Sequence, residues 1–240
     1  MVPSNGRTRG PLALVSRDAD TAFYARQVRQ WGSPVLVLGC ASGRIAWELA
    51  HDGAEVTAVD PSRVMLDAAE GRRAEEAPGV SARLSFKAAD LRALRLELKF
   101  KTVLLPQNAV GLMPTLEGLD ALFATVRYHL QPAGALVLDA PNPRTPELAQ
   151  DAPEVVPPYL EPRRPLFAPH LRERRREPRA QASSAIRRLR VGQFYPAEID
   201  ASLARCALRA VERYGDFLDK PFEPPDALQV VVASPWDGGA

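Results

Sequence analysis

Val35-Leu36-Val37-Leu38-Gly39-Cys40-Ala41-Ser42-Gly43-Arg44 is the stretch that decides the fold. Four branched apolar residues run straight into two glycines, and Ile45-Ala46-Trp47-Glu48-Leu49-Ala50 follows with a helix-like pattern. A continuous apolar run reads as a strand buried on both faces, the habit of parallel sheets. Glycine directly after it permits a tight turn and close approach of backbone to a ligand. The helix that follows begins with N–H groups that have no partner inside the helix. Strand, glycine turn and helix together predict a site for a nucleotide-like cofactor. An ordinary glycine-containing turn of an α/β protein is the plainer alternative.

Gly53-Ala54-Glu55-Val56-Thr57-Ala58-Val59-Asp60 supports the ligand reading. It reads as a short strand ending in an acid, with Asp60 about 20 residues beyond Gly39, where an acid at the tip of the adjacent strand accepts ribose hydroxyls. The alternative for Asp60 is a helix N-cap, a role Asp favours. Pro61-Ser62-Arg63-Val64-Met65-Leu66 then opens a helix, with Pro61 suited to its first turn.

The glycine spacing is Gly-x-Ala-x-Gly, not the Gly-x-Gly-x-x-Gly of a dinucleotide site. It resembles the first motif of class I S-adenosylmethionine-dependent methyltransferases, usually Gly-x-Gly-x-Gly after a buried strand. Ala89-Asp90-Leu91 looks like that family's acid-plus-apolar motif after strand three, and Thr102 to Asn108 like its strand-four segment. Tyr128-His129-Leu130-Gln131-Pro132-Ala133-Gly134-Ala135-Leu136-Val137-Leu138 resembles its helix, Leu-x-Pro-Gly-Gly, strand-five signature, which defines fold and not chemistry. Tyr214-Gly215-Asp216-Phe217 followed by Pro221-Phe222 is similar to the tail of small bacterial members. The likeness covers about residues 18–150 and 191–234.

Elements read from pattern agree with that likeness. Asp18 to Trp31 is helical and stops at Gly32-Ser33-Pro34. Strands are expected at 82–88, at 101–106 and at 135–140, after a Pro132-Ala133-Gly134 turn. Thr115 to Leu130 carries Leu116, Leu119, Leu122, Phe123, Val126 and Leu130 on one side of a helix. Pro196 to Cys206 is a further helix, and 208–217 and 228–233 are strands six and seven. Alternating strands and helices imply a parallel sheet with right-handed crossovers. The expected fold is α/β: a Rossmann-like, seven-stranded, mostly parallel sheet with helices on both faces. Strand seven is antiparallel, and a small cap of extra strands is added.

The length, 240 residues, fits one domain over 1–240 with a large core. A net charge of +2 creates no global basic field that calls for nucleic acid. Two cysteines, Cys40 and Cys206, form no disulfide framework and no metal-ligand pattern, so no metal is expected. No N-terminal stretch has the apolar core of a signal peptide and no run is long enough to span a membrane, so the expectation is a soluble cytoplasmic protein. Residues 151–190 match least. Their first half is rich in Pro and residues 163–190 in Arg. In the resembling family this stretch often adds antiparallel strands that cap the acceptor site. Arg172, Arg174 and Arg176 would share one strand face, as a site for an acidic or phosphorylated acceptor or, more blandly, as a solvated face or subunit contact.

The resemblance implies S-adenosylmethionine as cofactor and methyl transfer by in-line displacement. Its cofactor residues carry over onto Gly39, Cys40, Ala41, Gly43 and Arg44 of the first turn, and onto Asp60, Pro61 and Ser62 after strand two. Asp90 and Leu91 after strand three follow, then Pro106 and Asn108 after strand four. Tyr24, in the helix before strand one, is expected over the methionine end, or else as plain packing of that helix. Positioning supplies most of the barrier reduction in such a displacement. No catalytic residue is therefore assigned, and of the three histidines only His170 falls near a plausible acceptor. Leu105-Pro106-Gln107-Asn108 is not the Asn/Asp-Pro-Pro-aromatic motif of exocyclic-amine methyltransferases, no Pro-Cys pair marks cytosine chemistry, and no nucleic-acid-binding appendage is visible. A small-molecule acceptor is expected, with a homodimer compatible. Ala41 departs from the family's central glycine and Lys101 from its strand-four acid. A catalytically inactive interaction or regulatory protein with weakened cofactor binding is thus the alternative, and a nicotinamide-dependent oxidoreductase a distant third. The favoured expectation puts Ala41 at negative φ, with its methyl group away from the ligand.

Overall fold

The computed structural model describes residues 17–143 and 191–236. Helix α1 (Arg17–Trp31) leads into β1 (Val35–Leu38), α2 (Arg44–His51), β2 (Val56–Asp60) and α3 (Arg63–Gly71). The short α4 (Pro78–Ser81), β3 (Leu84–Ala88), β4 (Phe100–Leu105) and α5 (Leu116–His129) come next. The chain closes with β5 (Leu130–Pro141), α6 (Pro196–Arg205), β6 (Leu208–Tyr214) and β7 (Leu228–Pro235). The seven strands form one sheet in the order β3-β2-β1-β4-β5-β7-β6. β1 to β5 are parallel and β7 runs antiparallel between β5 and β6.

The alternation of side chains explains why the central strands read as unbroken apolar runs. Leu36 and Leu38 of β1, Val103 and Leu105 of β4, and Leu136 and Leu138 of β5 face a core closed by Leu119, Leu122 and Phe123 of α5 and Ile199 and Leu203 of α6. Val35 and Val37, Leu104, and Ala135 and Val137 face the opposite core, closed by Phe23, Tyr24 and Val28 of α1 and Trp47 and Leu49 of α2. β3, at the sheet edge, alternates instead, with Leu84 buried and Ser85 and Lys87 exposed.

Three local expectations are corrected. Pro61 stands before α3, not in its first turn: Ser62 is the N-cap and its Oγ accepts the Met65 N–H at 3.4 Å. Pro132-Ala133-Gly134 is no turn; it lies within β5, where the register with β4 jumps from Phe100↔Leu130 to Thr102↔Ala135. A Cβ on Gly134 would stand 2.6 Å from the Lys101 carbonyl oxygen, so the bulge needs glycine there. The strand that reads as 208–217 ends at Tyr214. The expected cap over 151–190, its arginines and His170 lie outside the described residues.

Candidate cofactor and acceptor site

The sheet reverses its direction of growth between β1 and β4: the chain steps from β1 outward to β2 and β3, then returns to the other side of β1. Loops leaving the carboxyl ends of β1 and β4 therefore diverge and open a crevice, the usual ligand position in such sheets. Five parallel strands end at this edge, and the predicted residues gather there.

After β1, Gly39 (φ +76) and Gly43 (φ +79) are both left-handed, as a tight turn into α2 demands. Gly39 also lies against the β4 exit: a Cβ on it would sit 2.8 Å from the Ala109 Cβ. Ala41 has φ +48, so the expectation of negative φ is overturned. The cause is visible in the hydrogen bonds. Asp60 Oδ2 accepts the Ala41 N–H at 2.9 Å and Asp60 Oδ1 accepts the Ser62 N–H at 2.8 Å, so the acid draws the middle of the turn toward β2. Cys40 is buried, and that burial, with the Asp60 charge second, pushes its thiol well above the ordinary range. It is packing, not a nucleophile.

Asp60 is 5% exposed at the tip of β2. Burial raises its pKa, against the pull of the Ser62 and Ala41 N–H donors. An ionised carboxylate has about four acceptor positions, and the two backbone bonds leave room for a diol. The N-cap alternative is excluded by Ser62, which caps α3 itself. After β3, Asp90 is half exposed and turned onto Arg92, whose Nη2 donates at 2.7 Å and Nε at 3.0 Å. That bond holds its carboxyl below the usual range. Leu91 buries its side chain in the core beneath.

Beyond β4, Pro106 is buried and the next two residues are left-handed, Gln107 at φ +57 and Asn108 at φ +56. Neither is glycine. Asp139, the acid near the end of β5, accepts both backbone N–H groups, Gln107 at 2.6 Å and Asn108 at 3.0 Å. Tyr24 of α1 donates its hydroxyl to the same carboxylate at 2.6 Å and is fully buried. Burial pushes Asp139 up to about 6. Asn108 Oδ1 is buried with no hydrogen-bond partner. Arg44, the first residue of α2, donates to Asp20 of α1 at 2.9 Å. With the Gln107 amide oriented to satisfy both groups, its oxygen accepts from Arg44 Nη2 at 2.6 Å. Asp20, Tyr24 and Asp139 were not singled out together by sequence reasoning; the acid of Leu138-Asp139-Ala140 gave a strand end and no partner.

Histidine chemistry is absent from the described part of this edge. His51 ends α2 with its Nε2 2.7 Å from Glu76, and His129 is buried at the far end of α5. Among the described residues no group of three His, Cys, Asp or Glu side chains is placed to hold a metal ion, and no helix is long and apolar enough to cross a membrane.

Residues 35–134 match the family described as Methyltransferase domain. A curated relative, the cypemycin N-terminal methyltransferase of a Streptomyces species, is 35% identical over 112 residues. That match takes in 47% of this chain and 43% of the relative, so the chain spans less than half of that relative's length. Among solved structures, the CcbJ methyltransferase from Streptomyces caelestis superposes with a TM-score of 0.69 at 20% identity, over 95% of this chain and 100% of the other. The glycopeptide N-methyltransferase MtfA complexed with S-adenosyl-L-methionine gives 0.60 at 20% identity, over 95% and 99%. At this identity the two structures establish the shared fold.

Proposed function

We propose that the chain, whose residues 35–134 match the methyltransferase domain family, is a class I S-adenosylmethionine-dependent enzyme that transfers the cofactor's methyl group to a small-molecule acceptor. The observation that carries the reading is Asp60: a buried acid at the tip of β2, facing the glycine turn of β1, with acceptor positions left over after its two backbone bonds. Such an acid fits a ribose diol, and the left-handed Gly39 and Gly43 keep the two ends of the turn close to the backbone they pack on.

In this reading Gly39, Cys40, Ala41 and Gly43 pass along the aminoacyl and ribose parts, and Arg44 ties the turn to α1 and to Gln107. Pro61 and Ser62 flank the adenine, while Asp90 and the Leu91 N–H meet its amino edge. Asp90 would have to exchange its Arg92 bond for that contact, which its exposure permits. Pro106 and Asn108 line the side from which an acceptor approaches. Tyr24 acts through Asp139. When bound, the cofactor supplies an electrophilic methyl on a sulfonium, a good leaving group, so the protein's work is alignment and exclusion of water. An amine acceptor must lose a proton to expose its lone pair. A relative named as an N-terminal methyltransferase and a structural neighbour named as an N-methyltransferase favour a nitrogen atom as the point of attack.

Ala41 favours a second reading. It stands at φ +48 where the resembling family has glycine, a departure that a protein of this fold with weakened cofactor binding and an interaction role would tolerate. Calorimetric titration of the full chain with S-adenosylmethionine, S-adenosylhomocysteine and NAD separates these readings. Binding of the first two and not the third is expected. Binding of none favours the second reading, and binding of NAD alone overturns both.

A further inference from the structure

The β4 exit loop is held in an uncommon backbone conformation. Gln107 and Asn108 are consecutive non-glycine residues at φ +57 and +56, a conformation that is strained for Gln107 and that Asn tolerates better. Asn108 Oδ1 is also buried without a partner, and such orphans call for an explanation beyond packing. One group holds the backbone of both residues: Asp139 accepts the N–H of each, at 2.6 and 3.0 Å, and is itself fixed by the Tyr24 hydroxyl at 2.6 Å. Strain that is over-determined by its surroundings gathers where a ligand is met.

We infer that Asp139 is a positioning residue of the reaction: it touches no ligand, but sets the β4 exit loop so that Pro106 and Asn108 meet the bound cofactor and acceptor, with Tyr24 as its lock. The inference rests on the methyltransferase reading for what the loop meets, and on the hydrogen bonds alone for what holds the loop. It assigns the Tyr24 hydroxyl hydrogen to Asp139 and not to the methionine end of the cofactor. It also makes the loop sensitive to protons, since a protonated Asp139 no longer offers two charged acceptors. The charged and titratable groups around Asp139 are Tyr24 and Asp20 on α1 and Arg44 on α2, which is paired with Asp20. Burial is the largest influence on the carboxyl; the Tyr24, Asn108 and Gln107 donors oppose it and the Asp20 charge adds to it.

Two titrations on the full chain test this. In the first, without ligand, the backbone amide resonances of Gln107 and Asn108 are followed by NMR from about pH 8 to about pH 5. Both should move together with one midpoint close to about 6, the value to which Asp139 is raised. Asp139→Asn should abolish the movement. Tyr24→Phe, the milder variant if Asp139→Asn does not fold, should shift the midpoint upward, because a donor to the charged form is lost. Amides that follow no common midpoint, or that titrate unchanged in these variants, overturn the clamp. In the second, S-adenosylmethionine affinity is measured by calorimetry over the same range. Asp139→Asn should weaken binding about tenfold at neutral pH, the scale of a lost bond to a charged group, and should flatten its pH dependence. Asp60, also raised by burial, is common to parent and variant, so the difference between them reports Asp139. If the parent binds the cofactor and Asp139→Asn binds it equally well with the same slope, the positioning role is wrong. If the parent does not bind it, the methyltransferase reading fails, while the amide titration still decides the clamp.

Discussion

Asp60 Oδ2 accepts the backbone N–H of Ala41 at 2.9 Å, so the acid that closes β2 also holds the turn that leaves β1. Asp60→Ala removes this restraint and the acceptors for ligand hydroxyls together. It is expected to weaken S-adenosylmethionine binding by ~1.5–3 kcal/mol, the range for hydrogen bonds to charged groups. Isothermal calorimetry measures it, and an unchanged affinity would remove Asp60 from the ligand site.

Ala41→Gly relieves a strain of ~1 kcal/mol at φ +48. Glycine's greater freedom in the unfolded chain offsets about 0.5–1 kcal/mol of that. A melting temperature changed by only a few degrees is therefore expected, about 4 °C or less, with less than a tenfold gain in cofactor affinity, about 1.4 kcal/mol. A larger gain in affinity would mean that the native turn obstructs its ligand.

Gly39→Ala is expected to cost ~2–4 kcal/mol, summing left-handed strain and overpacking, because the new Cβ would stand 2.8 Å from that of Ala109. Urea unfolding reads the loss. Adding Ala109→Gly should recover the steric part and leave the part due to φ. A double variant no better than the single one would show that the side chains at 39 and 109 do not meet at this point.

His129 should make stability depend on pH. Its Nε2 accepts the Leu96 N–H at 2.9 Å and its Nδ1 lies 2.8 Å from the Thr125 carbonyl oxygen, an arrangement that suits the neutral ring with hydrogen on Nδ1. Burial lowers its pKa below the ordinary 6.5. The unfolded chain thus binds more protons between the two values, so this contribution is whole above 6.5 and is lost as the pH falls toward the folded value. Asp139, raised to about 6, gives the opposite slope. The measurement is therefore the difference between parent and His129→Gln in urea unfolding at several pH values. The parent should lose ground to the variant on acidification; a difference that stays flat with pH would contradict the neutral-ring assignment.

The sheet was legible because its inner strands are buried on both faces. Val35 to Leu38 and Ala135 to Leu138 must be apolar at every position, and an unbroken run is hard to mistake. Asp60 was legible through its distance from Gly39, a separation that the strand-turn-helix-strand unit imposes. Ala41 misled because residue type constrains φ only by preference, and a carboxylate 19 residues away chose the conformation. The bulge at Pro132-Ala133-Gly134 looked like a turn because Pro and Gly serve both. Asp139 was invisible as a functional residue: its partners come from α1 and from the β4 exit, and no spacing rule joins them.

Tyr24 and Asp139 are 115 residues apart in the chain. Local contacts form quickly, while those spanning long loops wait for the intervening chain to order. The hydroxyl of α1 cannot meet its carboxylate until β1, β4 and β5 lie side by side, so the β4 exit loop is set only after the central sheet exists. On a growing chain, the first 130 residues can build most of the glycine-turn side of the crevice and none of the clamp on the other. The two walls of the site thus have different histories, and amide hydrogen exchange should find Gln107 and Asn108 opening more readily than Gly39 and Cys40, whose N–H groups are bound to Val59 of the neighbouring strand.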